Sequence, residues 1–288
     1  MSVLIYGIVN SSILALMACG FALVYSISRV ANFAHGALYV VAAYFTWLFL
    51  SKLGVNYVVA IILGVAIVAL IGALLYRFLL IRVRSMPVSE IIASYAVGLG
   101  VLELVRWGGL KMLAYHLPPF IGGMTNIAGV PVDFQRLLIV GIMLVVFVLL
   151  WLFTRHTKMG LSLRGIAQDE RTAMMLGIDS DRAALIALAL GSALAGVAAV
   201  VIIPLGTIAV EQGYEVLIFA IAICVIGGLG SWEGAVIAAF VVGFAQIIAV
   251  TLLGSHWQMV VALLAILIVL ILKPSGLFGK QKELEERV

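Results

Sequence analysis

Residues 234–272 read GAVIAAFVVGFAQIIAVTLLGSHWQMVVALLAILIVLIL, 39 residues without one Asp, Glu, Lys or Arg. A helix needs about 20 apolar residues to cross a bilayer, so this run is too long for one crossing. Gly254, Ser255 and His256 punctuate it, and the reading is two spans, 234–253 and 257–272. Working outward, charge-free intervals recur at 1–28, 30–51, 53–76, 137–154, 183–210 and 216–232. The segment 89–107 carries Glu90 at one end and Glu103 and Arg106 at the other, and it reads as a span with polar ends. Spans are therefore expected at 3–26, 36–51, 56–76, 89–107, 137–153, 183–203, 216–230, 234–253 and 257–272. The fold class is all-α and polytopic, with eight or nine crossings and a broken or re-entrant segment near 29–36.

Composition agrees. Of 288 residues, 65% are hydrophobic and 10% charged, against roughly 45–50% and about 25% in a soluble domain. That excludes a soluble enzyme, a disordered chain and a disulfide scaffold. Nine spans consume about 180 residues and leave about 108, too few for a second, water-soluble domain. The chain 1–288 is read as one transmembrane domain, with 154–182 and 273–288 on one side of the membrane. All six prolines, at 87, 118, 119, 131, 204 and 274, fall between spans or at their ends, as expected of a residue that interrupts helices.

Lys and Arg set the orientation. Arg29, the segment 77–88, the segment 154–182 and the tail hold 13 of the 17 basic residues, and alternating spans put all of them on one side. The positive-inside rule makes that side cytoplasmic, with the C-terminus inside and the N-terminus outside. The net charge of +4 therefore reports topology and not a nucleic-acid partner. Met1 to Asn10 lacks the basic residues that a cleavable signal wants. Cys19 and Cys224 lie inside spans and read as small packing residues.

Three regions are too polar or too glycine-rich for plain lipid-facing helix. In Arg29–Ala37 two spans meet with almost no loop, and Asn32, His35 and Gly36 interrupt an otherwise apolar run. Such irregular backbone at membrane depth either lines a transport route or is a tight turn in which Asn32 caps the next helix. The segment 154–182 holds five basic and four acidic residues. A helix is expected over Arg164–Leu176, a rod of about 20 Å, ended by Gly177. It suits either docking to a partner or a solvated loop. The third region is Gly227-Gly228-Leu229-Gly230-Ser231-Trp232-Glu233-Gly234-Ala235. Gly230, Gly234 and Ala238 recur every four residues, as do Ala187, Gly191, Ala195 and Ala199, stripes that let helix backbones pack closely.

Enzyme signatures are missing. The sequence contains no G-x-x-x-x-G-K-[ST] phosphate loop, and its four histidines show no metal-ligand spacing. Ser231 and His256 fall at opposite ends of one span, about 30 Å apart across the bilayer, which removes a serine-protease reading.

Asn32-Phe33-Ala34-His35-Gly36-Ala37, followed by Ala42-Ala43-Tyr44, resembles the signature of the branched-chain amino-acid permeases of ABC importers. Gly160…Arg164-Gly165-Ile166-Ala167-Gln168-Asp169…Ala173…Gly177-Ile178 is similar to that family's ATPase-coupling segment. Gly227-Gly228-Leu229-Gly230-Ser231…Gly234-Ala235 and Lys273-Pro274-Ser275-Gly276-Leu277-Phe278-Gly279 also match. Gly165 and Ala42 depart from the pattern, each by one small residue for another.

The resemblance implies an importer permease of the bacterial inner membrane. It would pair with a second homologous permease, two cytoplasmic ATPases and a periplasmic solute-binding protein. The chain itself would catalyse no covalent chemistry and hold no cofactor or metal, ATP and Mg being bound by the ATPases. Asn32, Phe33, His35 and Gly36 are then candidates for the translocation path. Arg164, Gln168, Asp169, Glu170, Ala173 and Gly177 are candidates for ATPase coupling. Gly191, Ala195, Gly227, Gly228, Gly230 and Gly234 are candidates for helix packing. At the outer face, Glu211 and Glu215, beside the segment 108–135, are candidates for docking the binding protein. Branched-chain amino acids are the default solute, with urea, short amides, other amino acids and aromatic carboxylates as further options. The competing class is a secondary carrier or channel that works without an ATPase. Such proteins usually carry membrane-embedded carboxylates. The candidate here, Glu103, stands three residues before Arg106, the spacing of an ordinary helical ion pair.

Overall fold

The computed structural model describes residues 1–29, 31–84, 86–109 and 115–279. Lys111 and the tail beyond Gly279 lie outside the described residues. The chain is a polytopic helical bundle. Its helices are α1 Ser2–Ser28, α2 His35–Ser51, α3 Tyr57–Leu75 with a π turn Tyr76–Leu80 and a last turn α4 Ile81–Val83, and α5 Pro87–Gly108. A hairpin of β1 Met124–Ile127 and β2 Val130–Asp133 follows, then α6 Phe134–His156 and the short α7 Lys158–Gln168 and α8 Glu170–Met175. The last four helices are α9 Ser180–Ile202, α10 Glu211–Gly227, α11 Trp232–Leu253 and α12 Trp257–Leu272. Six segments are long and apolar enough to cross a membrane, and α2 and α12 are shorter apolar helices of 17 and 16 residues. With α10, all nine expected spans are helical among the described residues.

Burial sorts these helices into layers. α1 buries residues on every face and so forms the centre, packed against α9, α10, α11 and α6. α12 buries only Ala262 and faces outward with Leu, Ile and Val side chains. α3 and α5 bury narrow stripes: Ala60, Gly64, Val68, Gly72 and Leu75 on one, Glu90, Ser94, Gly98 and Leu102 on the other. In a bilayer the apolar remainder of each faces lipid, so only the stripe needs protein neighbours.

Small residues set the closest approaches. A Cβ on Gly191 of α9 would run into Val24 and the Gly20 carbonyl of α1. One on Gly36 of α2 would overlap the Gly213 carbonyl of α10, and one on Gly72 would meet Ser192. Ala195 is fully buried on the same helix as Gly191. Between these contacts a few polar side chains bond in pairs. Asn10 Nδ2 donates to Gln246 Oε1 at 2.8 Å, and Gln246 Nε2 donates to the Gln258 carbonyl at 3.0 Å, joining α1, α11 and α12. Gln135 Nε2 donates to the Val201 carbonyl at 2.8 Å while its Oε1 accepts the Phe120 N–H at 3.0 Å.

Several boundaries differ from the sequence reading. The third span continues through Arg77 and Arg82 to Val83, because a helix does not stop where its charges begin. α10 begins at Glu211 instead of 216, so Glu211 and Glu215 both lie on helix. The β1–β2 hairpin was not expected from the sequence. Its turn residues Ala128 and Gly129 both have positive φ, 50° and 82°, as a tight two-residue hairpin turn requires. The interruption near 29–36 is the link between α1 and α2. Arg29 closes α1 with φ 53°, and α2 starts at His35.

Gly191 and Gly141 provide a matched comparison, because a Cβ on Gly141 meets nothing within 4 Å. Gly191→Val should destabilise by about 1–3 kcal/mol or more and lower Tm in detergent. Gly141→Val should leave Tm within the scatter of the wild type. Equal melting of the two variants would show that the α1–α9 contact does not set stability.

Candidate functional site

The same end of the bundle carries α7, α8, the α10–α11 turn and the segment 273–279. The expected single rod over Arg164–Leu176 is instead two helices with a break at Asp169. The physical reason is that Asp169 leaves helical geometry, at φ −155° and ψ 106°, to cap the helix that follows. Its Oδ1 accepts the Thr172 N–H at 3.2 Å and its Oδ2 accepts the Thr172 hydroxyl at 2.7 Å. Those bonds, the hydroxyl first, hold its carboxyl below the usual carboxylate range. Gly177, with φ 83°, ends α8 in a Schellman turn: Ile178 N donates to Ala173 O at 3.1 Å and Gly177 N to Met174 O at 2.9 Å.

α7 is amphipathic and buries Gly160, Leu163 and Ile166. α8 buries only Ala173 and leaves Met174, Met175 and Leu176 exposed. Arg84 ties this pair to the spans. Its guanidinium bonds Glu170 of α8, Ser180 and Asp181 of α9, while Ser180 also bonds Glu170. Tyr76 OH donates to Asp181 Oδ1 at 3.0 Å. The third span, α8 and α9 therefore meet on one cation. The sequence reading used Arg84 only as a topology charge. Nothing in its local pattern marked the cluster, because Arg84, Glu170 and Asp181 come together only in three dimensions.

The glycine turn and the terminal motif are one structure. Leu277 N donates to the Ile226 carbonyl at 2.8 Å and Phe278 N to the Gly227 carbonyl at 3.0 Å. Gly228, at φ 103°, lies against Gly279 and Gly276, and Gly227 lies against Gly234 across the turn. Gly230 has φ 97°, and Ser231 Oγ accepts the Gly234 N–H at 3.0 Å to cap α11.

A cavity of about 750 Å³ opens beside this turn. Leu23, Ser26, Ile27 and Arg29 of the α1 end form one wall, and Thr154, Leu163, Arg164, Ala167 and Gln168 form another. Leu229 to Glu233 and Phe278 complete it. Arg29 Nη2 donates to the Ala167 carbonyl at 3.3 Å, joining two walls. Arg164 Nε is buried and has no hydrogen-bond partner among the described residues.

The candidate path residues do not share this cavity. Asn32 is buried, and its Oδ1 accepts the Ala34 N–H at 3.1 Å beside the start of α2. His35 is buried against Phe21, and its Nε2 lies 3.0 Å from the Met17 carbonyl, which can only accept, so Nε2 carries the proton. Gly36 is the contact to Gly213 described above. Phe33 alone reaches a narrow crevice between α2, α5 and α10, edge-on to Tyr95 at 6.4 Å.

At the opposite end, Arg106 pairs with Glu103 at 3.4 Å and with Glu211 at 3.0 Å. Glu215 is exposed one turn further on. Tyr6 OH donates to the Pro131 carbonyl at 2.8 Å, and Tyr57 OH to the Pro118 carbonyl at 2.7 Å. The described residues hold no group of three His, Cys, Asp or Glu side chains able to ligate a metal.

A family profile described as branched-chain amino acid transport system / permease component matches residues 3–272. The chain belongs to that family. It is 28% identical to the high-affinity branched-chain amino acid transport permease BraD of Pseudomonas aeruginosa, over 96% of this chain and 95% of the relative. It is 27% identical to LivH of Escherichia coli, over 95% and 94%. Among solved structures, PsaBC of Streptococcus pneumoniae, determined with a Fab, superposes with a TM-score of 0.52 at 13% identity. That match covers 96% of this chain and 94% of the other, and it shares the fold. The chain is thus a multi-pass membrane protein with an ABC importer permease fold.

Two variants test the anchoring of α8. Arg84→Gln should raise hydrogen exchange over 170–179 by roughly 2–10-fold, the range for a partly exposed ion-pair network. The Asp169 cap is complete above the ordinary carboxylate range and is lost as pH falls through the depressed value of its carboxyl. Acidification should therefore fray α8 in the wild type but not in Asp169→Asn, whose amide oxygen still accepts. Identical exchange in all three proteins would remove both anchors.

Proposed function

We propose that this permease moves branched-chain amino acids, or a related small polar solute, into the cytoplasm on ATP hydrolysed by partner subunits. The observation that carries this reading is the family match across residues 3–272, nearly the length of the chain. Relatives named as high-affinity branched-chain amino acid permeases support the solute class. The chain itself is not an enzyme in this reading, and ATP with Mg belongs to two cytoplasmic ATPases. A second homologous permease and a periplasmic binding protein complete the importer.

The end that carries α7, α8 and Arg84 is cytoplasmic, and the hairpin end faces outward. The distribution of Lys and Arg supports that orientation. The N-terminus is then outside, in the inner membrane of a bacterium. Residues 1–288 act as one transmembrane permease domain.

Coupling is assigned to α7 and α8. Met174, Met175 and Leu176 offer an exposed, adaptable apolar surface to an ATPase groove. Arg164, Gln168, Asp169, Glu170, Ala173 and Gly177 shape the two helices. Displacement of α8 would pass through Arg84 to the third span and to α9, the two-state packing that alternating access needs. Asn32, His35 and Gly36 hold the α1–α2 link in place beside the path, and Phe33 borders it. Glu211 and Glu215 receive the binding protein, with Arg106 fixing the first.

Reconstitution tests the whole reading. Proteoliposomes holding the permease pair, the ATPases and the binding protein should accumulate labelled leucine only with ATP inside the ATPase compartment. Uptake without ATPases would make the chain a secondary carrier. Ala173→Pro removes the N–H that bonds Asp169 O at 3.0 Å. That variant should insert normally yet lose ATPase association or uptake by at least roughly tenfold, because a proline inside a helical turn costs about 3 kcal/mol. Normal assembly and transport would free 154–182 from coupling.

A further inference from the structure

The corner where α6 passes into α7 carries charges that neither the Arg84 cluster nor the apolar patch of α8 uses. Val145, Val148, Leu149 and Leu152 form an exposed apolar strip along α6, the surface that a spanning helix gives to lipid. Val145, Val148, Leu152 and Arg155 follow one another at the three- and four-residue spacing of a single helical face. The strip therefore ends on an exposed guanidinium. Arg155 Cζ lies 5.1 Å from the centre of the Trp151 ring, and the His156 ring stands edge-on to the same indole at 5.8 Å. Tryptophan under a cation at a helix end is the pairing expected where hydrocarbon gives way to headgroups.

The positive charge here is uncompensated. From Phe134 to Gln168 the sequence has no Asp or Glu, and Arg155 and Lys158 form no ion pair among the described residues. Arg155 and His156 stand in the last turn of α6, where they offset the negative end of its dipole. Lys158 has no such support. It is the first residue of α7, whose first turn holds no acid and whose amide end is itself positive. Arg155 and Lys158 are separated by at most about 11 Å of chain, so two long side chains can reach one phosphodiester. We propose that the α6–α7 corner binds the headgroup of an anionic phospholipid. Arg155, steadied by Trp151, and Lys158 take the phosphate oxygens, and the amide end of α7 adds to their field. The acyl chains lie along the strip of Val145, Val148 and Leu152. A lipid satisfies both halves together, because the cations and the apolar strip are continuous on one face, whereas a soluble anion has nothing to place on the strip. The proposal needs only that the chain spans a bilayer, and it stands apart from the importer reading.

The test uses photoactivatable phosphatidylglycerol in nanodiscs that hold the full-length permease. Labelling of residues 145–161 is read by mass spectrometry against unlabelled competitor lipids. Phosphatidylglycerol should compete at a roughly tenfold lower mole fraction than phosphatidylcholine, and Arg155→Gln/Lys158→Gln should shrink that advantage at least roughly fivefold, the scale of one basic residue near an anionic surface. Arg77→Gln/Arg82→Gln removes the same charge from the end of the third span and should leave the advantage at 145–161 unchanged. A photoactivatable neutral lipid should label the strip equally in all three proteins, which shows that α6 still faces lipid in each. Equal competition by the two lipids overturns the proposal, as does an advantage that Arg155→Gln/Lys158→Gln retains. Equal loss in both double variants also overturns it, since a diffuse surface potential would then suffice. Competition by soluble glycerol phosphate as strong as by phosphatidylglycerol would make the corner a free-phosphate site, and labelling abolished by added ATPase subunits would give it to a protein partner; either result rejects the lipid.

Discussion

Backbone contact at glycine is the constraint on which the bundle depends. Lipid provides no hydrophobic drive for helices to associate, so cohesion must come from dispersion at short range and from a few internal hydrogen bonds. α1 and α9 approach until Gly20 and Gly191 leave no room for a side chain, and α2 meets α10 in the same way at Gly36 and Gly213. Those approaches fix the central helix and everything packed around it. Asn10, Gln246 and Gln135 add directed bonds that choose one rotation of each helix over another.

At the end that carries α7 and α8 the physics changes from packing to electrostatics. α7 and α8 are too short to be stable helices alone. They persist because Asp169 caps one, Gly177 ends it, and Arg84 pins it to Asp181 and Ser180. A single cation bridging three elements makes their displacements interdependent. Removing it leaves the Ser180–Glu170 and Tyr76–Asp181 bonds without their shared cation, so the hold of α8 on the bundle would weaken.

The sequence was most informative where lipid imposed the rule. Runs such as 234–272 have one stable outcome in a bilayer, and Gly254 and His256 could divide that run in only one place. Charge was a poorer guide to helix ends. Arg77 and Arg82 continue a helix, and Glu211 starts one, because α-helices extend past the hydrocarbon edge into water. The rod over Arg164–Leu176 failed for a more local reason: an Asp followed three residues later by Thr competes for the backbone as a cap, and here that cap wins. The cluster at Arg84 and the pairing of the terminal motif with the glycine turn join residues far apart in sequence, and no local periodicity encodes such meetings.

That last pairing bears on how the molecule is made. Residues 277 and 278 bond the backbone of Ile226 and Gly227, and Phe278 forms part of the cavity wall. They leave the ribosome after every span has already been synthesised. The α10–α11 turn therefore stays open while the spans are made, and its cover arrives only after α12. A chain truncated before Leu277 would contain every expected span and still lack the strap that closes the α10–α11 turn.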